Sequence, residues 1–345
     1  MNSKRPVVPE GLDSSTRQLA TRDAFQAPKG RSTEVRRVLG LIWCGVGGIL
    51  VPLVPVLACV LLAYGVAMVV SEGRRLEQMK ALFVVLTASV VTTYLLVGIM
   101  GVPSTLVEVL CAYALACEVA AGRLRTNGLL LEVVVLTLAM IGIDVVSTSL
   151  QDTSITELIT TMVNQTVEVA MESVDLEGTA ALLETRDSLV AYWPTLYFLV
   201  AAGVALCSLL GAWLGAKKSG VLVAPGMIAR YDVPLWVAVL FALGVAAELL
   251  GPLLPAWQKE ITLVGANVVL CARIALAQQG LSVLQWWMFE RRVTWVARTS
   301  IVLIAVWLEL SFALASVAGL VDVAVNFRGL KRGRPSLAPW SAGER

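Results

Sequence analysis

The sequence predicts an all-α protein, a polytopic transmembrane helix bundle of nine to ten spans with one outer interfacial amphipathic helix. Composition is the first indication, because 57% of the residues are hydrophobic, only 15% are charged and the mean hydropathy is +0.79. Soluble domains carry charge on roughly a quarter of their residues, so this chain must place its excess apolar surface against lipid. Apolar runs near the ~20 residues that a bilayer core requires are the second indication. The third is the position of the basic residues, which assigns each loop to one side of the membrane.

Residues 1–37 are predicted to form a disordered cytoplasmic tail, since this segment is polar, rich in Ser, Thr, Arg and Pro, and too acidic for a signal peptide. The following run, 38–70, is too long for one span and is interrupted by Pro52 and Pro55. We therefore expect two spans joined by a tight outer turn. Single spans follow at 82–100, 105–121, 129–150, 192–214, 235–250 and 261–289.

Lys and Arg in short loops remain cytoplasmic, and their clusters in this chain alternate with uncharged or acidic loops. The clusters lie at 36–37, 74–80, 123–125, 217–230, 291–292 and 328–334. The segment 151–187 is strongly acidic, contains Arg186 as its single basic residue, and is predicted to lie outside. Its apolar residues recur at helical spacing from Ile155 to Ala170, which favours a helix lying flat in the interface. A partner-binding face is the alternative interpretation of this stripe.

The last apolar run, 293–325, decides between nine spans and ten. A single tilted helix would leave the basic segment that follows it on the outer face, whereas a hairpin returns that segment to the cytoplasm. We therefore favour ten spans, a transmembrane domain at 38–330 and a second cytoplasmic tail at 331–345, with both termini inside.

Residue content disfavours several classes of function. The chain contains no histidine, and its six cysteines lie inside apolar runs with no CxxC pair, so metal sites, haem and Ser-His-Asp or Cys-His catalysis are not expected. No P-loop or dinucleotide-binding fingerprint occurs. The net charge of +2 does not favour a nucleic-acid partner. We therefore expect no cofactor and no enzymatic activity.

Charged side chains inside spans are the strongest functional candidates, because inserting each one at the centre of a membrane helix costs at least about 2.5 kcal/mol. Those near span ends can reach the surface by snorkelling, which discounts Glu108, Glu118, Glu132 and Glu248. The remaining candidates are Asp144, Arg273, Glu309 and Asp322.

Arg273 and Glu309 lie equally far along the chain from Arg291, so antiparallel helices would bring them to the same depth. We predict a buried ion pair between them. The helix of Arg273 carries further polar groups at Asn267, Gln278 and Gln279. The whole set either lines a polar cavity or locks helices together, and both alternatives remain open at this point.

Small residues let two helix backbones approach closely inside a bilayer. A pair spaced four apart lies on one helix face, and the chain has such pairs at Gly211 and Gly215 and at Ala63 and Ala67. These positions are candidate helix-crossing points.

Three local patterns occur in order along the second half of the chain. They are Arg230-Tyr231-Asp232-Val233-Pro234 ahead of a span, Asn267 followed by Gln279-Gly280-Leu281-Ser282-Val283, and Gly319-Leu320-Val321-Asp322 with Asn326-Phe327-Arg328. Together with the span count and the long acidic outer segment, they resemble the YybS-like family of bacterial membrane proteins, a group with a domain of unknown function. The resemblance covers 38 to about 331, and Arg273 has no place in the family's pattern.

The resemblance implies a multi-pass protein of the bacterial plasma (inner) membrane, distantly similar to substrate-capture subunits of energy-coupling-factor transporters and to rod-shape protein D. Two functions follow as hypotheses. In the favoured one, the polar residues face a cavity and select a small-molecule ligand for binding or transport. In the alternative, the same residues lock the helices of a non-transporting envelope scaffold, whose tails recruit membrane or cytoplasmic proteins.

Overall fold

The structure is a computed structural model that describes residues 29–71, 75–171, 176–220 and 228–330. Within these ranges the regular elements are helices and no strand occurs. The helices are α1 (Lys29–Leu50), α2 (Pro55–Val70), α3 (Arg75–Leu96), α4 (Val102–Ala120), α5 (Thr126–Ser149), α6 (Ile155–Met171), α7 (Leu176–Ala191), α8 (Trp193–Lys218), α9 (Leu235–Leu250), α10 (Gln258–Glu290), α11 (Trp295–Phe312) and α12 (Leu314–Val325). Short 3-10 turns lie at Ile99–Gly101, Ile228–Arg230 and Gly251–Leu253.

Seven helical segments of the described ranges are long and apolar enough to cross a bilayer: α3, α4 with its preceding turn, α5, α8, α9 with its following turn, α10 and α11. α2 and α12 are apolar but shorter, and α1 carries charges at Glu34, Arg36 and Arg37. The predicted fold class is confirmed, since the protein is an all-α bundle whose apolar helices contact the lipid bilayer. The count of ten spans and the cytoplasmic location of both termini remain predictions.

Both of the longest apolar runs divide into two helices, as the sequence predicted. The first run breaks between Leu50 and Pro55, and Pro55 occupies the first turn of α2, where the missing N–H group removes no helical hydrogen bond. The second run breaks at Ala313, whose φ of 56° is left-handed and reverses the chain between α11 and α12. The N–H of Ala313 still donates to the carbonyl of Glu309, so α11 ends with its last turn bonded.

Two segments outside the predicted spans differ from the sequence prediction. α1 begins at Lys29, so residues 29–37 of the expected disordered tail are helical in this structure. Residues 1–28 and 331–345, the rest of the two expected tails, lie outside the described residues. The segment 151–187, which is predicted to lie outside, forms two helices, α6 and α7, where one was expected, and they pack together where Arg186 Nε donates to Asn164 Oδ1 at 2.6 Å.

The buried apolar residues form two separate clusters, which divide the spanning helices into two bundles. Bundle 1 comprises α1–α5 and α8, and its interior contains fully buried side chains such as Leu62, Leu115 and Leu136. Bundle 2 comprises α9–α12, with Leu276 of α10 at its centre. Leu130 of α5 packs into the second cluster and so joins the two bundles. No residue of α11 is buried.

Helix backbones touch inside each bundle at glycines. A Cβ atom at Gly211 would lie 2.0 Å from the carbonyl oxygen of Val60, and one at Gly215 would lie 3.0 Å from Cβ of Ala67. Gly211, Gly215 and Ala67 therefore do lie at a helix crossing, between α8 and α2. In bundle 2 a Cβ atom at Gly319 would lie 1.9 Å from the carbonyl oxygen of Leu276. Inside a bilayer, the hydrophobic effect does not drive helices together. The van der Waals contacts that this close approach allows stabilise the packing instead.

Gly211→Ala is expected to destabilise the protein, because its methyl group cannot fit without separating α8 from α2. Overpacking of this kind costs about 1–3 kcal/mol. Gly142→Ala is the matched control, since nothing lies within 4 Å of a Cβ atom at Gly142 of α5. The control should leave stability unchanged or raise it slightly, because alanine favours helix. Thermal unfolding in detergent, followed by circular dichroism, measures both, and equal melting temperatures for the two variants would contradict the packing described.

Candidate functional site

The predicted ion pair of Arg273 and Glu309 is present. Arg273 Nε lies 2.9 Å from Glu309 Oε1, and Arg273 Nη2 donates to the Glu309 carbonyl at 2.7 Å. The second carboxylate oxygen accepts the backbone N–H of Ser316 at 2.8 Å, while the Ser316 hydroxyl donates to Glu309 Oε1 at 2.5 Å. The group therefore joins α10, α11 and α12 at one point.

The position of Glu309 explains why the chain folds back at Ala313. Ser316 lies in the first turn of α12, where the backbone N–H groups have no partner within the helix. Water would satisfy those groups in a soluble protein, but a bilayer core contains none. The Glu309 carboxylate takes this role, and its negative charge is stabilised at the positive end of the α12 dipole. Glu309 thus caps α12 while Arg273 balances its charge.

A second polar group, the Asp322 cluster, consists of Asp322, Gln279 and Arg328 with the backbone that they bind. Arg328 Nη2 lies 2.8 Å from Asp322 Oδ2, and the two side chains are 0% and 1% exposed. Gln279 Nε2 donates to the same carboxylate oxygen at 2.7 Å, and Gln279 Oε1 accepts the N–H of Val233 at 2.9 Å. The cluster thereby fastens the end of α12 to α10.

Arg328 also anchors the segment that precedes α9. Its Nη1 donates to the carbonyl of Ala229 at 2.8 Å, and its Nη2 donates to that of Tyr231 at 2.8 Å. The sequence indicated Gln279 and Asp322 as candidate site residues, but Arg328 only as a member of the third local pattern, because Arg328 lies beyond the last predicted span among residues expected to face the cytoplasm. One signal was available in the sequence. The predicted span of Asp322 contains no cation, so its partner had to come from elsewhere in the chain. Asn326, with a φ of 56°, turns the chain so that Arg328 reaches back.

Asn267 and Asp144 attach α8 to its neighbours. Asn267 Oδ1 accepts the Thr195 hydroxyl at 2.8 Å, and Asn267 Nδ2 donates to the carbonyls of Ala191 at 3.2 Å and Leu263 at 2.9 Å. Asn267 therefore connects α10 of bundle 2 to the start of α8 in bundle 1. Asp144 of α5 accepts a hydrogen bond from the hydroxyl of Tyr197 in α8. Neither Thr195 nor Tyr197 stood out in the sequence, since each is a common residue at a span end.

Gln278 differs from the rest of the predicted set because it faces a cavity. The cavity has a volume of about 260 Å³ and lies between α5, α8 and α10, at the junction of the two bundles. Its polar contributors are Thr126, Tyr231 and Gln278. The other lining residues are apolar: Leu124, Leu129, Leu130, Val133, Phe198, Ala202, Ala205, Leu206, Leu209, Ile274 and Ala275.

Tyr231 lies at the edge of this cavity and outside the spanning helices. Burial raises the pKa of its phenol above the ordinary value, which further favours the neutral hydroxyl form. The neighbouring Asp232 N–H donates to Thr126 Oγ1 at 3.3 Å, which holds the two polar lining residues on the same side.

Glu108 is a buried charge that the sequence argument set aside as close to a span end. Its side chain lies within the packed face of α4 and is 8% exposed. Across the described ranges, no group of three or more His, Cys, Asp or Glu side chains could hold a metal ion. The carboxyl group of Glu108 lies near the buried thiols of Cys59 and Cys111 in the interior of bundle 1.

Comparison of the chain with protein-family models, with curated proteins and with solved structures finds no match. The resemblance to the YybS-like family accordingly remains a prediction from local patterns. The apolar helices indicate an integral membrane protein, and most of the predicted polar residues form separate contacts between helices, apart from Gln278 at the largely apolar cavity.

Asp322→Asn should destabilise the protein strongly, because it leaves the buried Arg328 guanidinium without a counter-charge. Removing one partner of a buried ion pair costs about 3–5 kcal/mol. Asp187→Asn is the matched control, since its carboxylate is 81% exposed and 3.9 Å from Arg186, and its effect should stay within about 0.5 kcal/mol. Unfolding in SDS mixed micelles measures both. The double variant Asp322→Asn with Arg328→Gln should recover part of the loss, and a double variant worse than the single would contradict the pairing.

The charge swap Arg273→Glu with Glu309→Arg is expected to restore part of the folded yield that each single change removes. Each single reversal brings two like charges together, whereas the swap returns an opposite pair. Recovery should be incomplete, because an arginine at 309 cannot accept the N–H of Ser316. Size-exclusion chromatography of detergent-solubilised protein gives the folded fraction. A swap no better than the worse single variant would show that the two residues do not interact.

Proposed function

We propose that this membrane protein binds a small apolar or amphipathic molecule within the bilayer, as a capture or transport protein for that molecule. The observation that carries the proposal is the cavity of about 260 Å³ between the two bundles. An engineered cavity of about 150 Å³ in another protein is large enough for benzene. Ligand sites also occur preferentially where two structural units meet.

The lining of the cavity sets the class of ligand. No charged side chain lines it, so an ionic solute would lose its hydration without gaining a partner. The Gln278 amide, the Tyr231 hydroxyl and the Thr126 hydroxyl can together orient one or two polar groups of a ligand that is otherwise apolar. The remaining polar candidates hold helices together, which supports selection by shape and apolar area rather than by charge.

Hydrogen bonds between the bundles lie on either side of the cavity, in addition to the apolar contacts along it. At one end Asn267 of bundle 2 binds Thr195 of bundle 1. At the other end Trp236 Nε1 donates to Asn127 Oδ1 at 2.9 Å, next to the bond between Asp232 and Thr126. Breaking the hydrogen bonds at one end while keeping those at the other would widen the cavity toward one side. Rocking of two bundles around a central site is how many transporters expose that site alternately.

A non-transporting membrane scaffold is the second candidate, and α11 is the observation in its favour. This helix has no buried residue, and Trp295, Trp307 and Leu310 on it are 79%, 61% and 78% exposed. Such a helix offers a long apolar surface to a membrane partner as well as to lipid. The paired contacts of the polar residues agree with the scaffold too, whereas the cavity has no role in it.

Ala202→Phe is expected to abolish ligand binding, because the phenyl ring would occupy the cavity that Ala202 lines. Val200→Phe on the same helix is the control, since Val200 is 39% exposed and lies away from the cavity. Mass spectrometry of small molecules released from the purified proteins measures occupancy. The amount of bound ligand should fall by at least about tenfold in Ala202→Phe and stay unchanged in the control. A tenfold loss of affinity corresponds to about 1.4 kcal/mol of binding free energy. A wild-type preparation with no bound small molecule but a stable co-purifying protein would favour the scaffold.

A further inference from the structure

A second recess, the aromatic groove, lies between α10 and α12 at the end of α10. It has a volume of about 460 Å³ and is distinct from the cavity between the bundles. Its aliphatic and small lining residues are Gly280, Val283, Leu284 and Ala318, and its aromatic ones are Trp286, Trp287 and Phe327.

The groove follows from the unequal lengths of two closely packed helices. A Cβ atom at Gly280 would lie 1.9 Å from the carbonyl oxygen of Ala315, so α12 lies directly on α10 there. α12 ends at Val325, just past Asp322, which binds Gln279 of α10. α10 continues to Glu290, roughly 16 Å beyond Gln279 at 1.5 Å per residue. The last turns of α10 therefore have no α12 beside them, and Phe327 borders the space that remains.

Positive charge lies at the aromatic end of the groove. The Arg291 guanidinium is 5.8 Å from the ring centroid of Trp287, which lines the groove. Arg292 follows it and is exposed, and the Arg298 guanidinium lies 4.1 Å from the Phe289 ring. Glu290 is the acidic residue of this turn, so the three arginines leave the turn with a positive charge. Apolar lining, tryptophan and exposed arginine thus follow one another along one groove.

We propose that the aromatic groove binds one phospholipid with an anionic headgroup. One acyl chain lies against the aliphatic residues, the tryptophans lie at the level of the headgroup, and Arg291 contacts the headgroup phosphate. A volume of 460 Å³ equals only about one turn of a helix ~10 Å across, so the groove suits an alkyl chain better than a partner helix. The proposal does not depend on the ligand of the cavity between the bundles.

The test is native mass spectrometry of the full-length protein with phosphatidylglycerol and phosphatidylcholine of identical acyl chains. Wild-type protein should retain one phosphatidylglycerol with about fivefold preference, the factor that one arginine near a headgroup supplies. Arg291→Gln should remove that preference. Arg75→Gln is the matched control, because Arg75 is an exposed first residue of α3, away from the groove, and it should keep the preference.

Ala318→Trp tests the acyl-chain part of the site. Ala318 is exposed toward the groove, so a larger side chain there fills the recess without entering the packed core, and it should lower retention of both lipids. Equal retention of the two lipids by wild-type protein would overturn the proposal, and this comparison needs no variant to fold. Identical behaviour of Arg291→Gln and Arg75→Gln would also overturn it, as would a lipid-free dimer formed through this face.

Discussion

A bilayer core supplies no water, so each polar group that this chain places there must find its partner within the protein. Glu309 illustrates how strictly this holds, because its carboxylate both pairs with Arg273 and caps the first turn of α12. Asp322 follows the rule through one oxygen, which binds Gln279 and Arg328, whereas its other oxygen is an exception with no partner among the described residues. These contacts determine where α12 reverses, where it ends and how the segment before α9 is held.

Small residues and polar residues make different kinds of contact between the helices. Glycines bring backbones into contact inside each bundle, as at Gly211 against Val60 and at Gly319 against Leu276. Polar side chains then join elements that glycine contacts do not reach, as Asn267 does between α10 and α8. Because the polar groups are used in this way, the space left between the bundles is largely apolar. That outcome favours a ligand of lipid-like chemistry over a charged solute.

The correct predictions from the sequence used the depth of residues along their helices, the spacing of small residues and the charges of the loops. Equal distances from Arg291 placed Arg273 beside Glu309, spacing of four identified Gly211 and Gly215, and loop charges indicated that the last apolar run contains two helices. What could not be predicted depends on contacts between distant parts of the chain. Arg328 resembles any basic residue after a span, and only the turn at Asn326 directs it into the interior. The division into two bundles, and hence the cavity, has no local signature either.

The central claim is that most of the polar residues lock helices together and leave a largely apolar cavity between the bundles. A cryo-electron-microscopy map of the protein in lipid nanodiscs, at a resolution that resolves ordered water, tests it most directly. The account predicts elongated non-protein density between α5, α8 and α10, with Asn267 still bound to Thr195 and Gln279 still bound to Asp322. A chain of ordered waters through the cavity, with Gln279 and Asp322 turned toward it, would contradict the account.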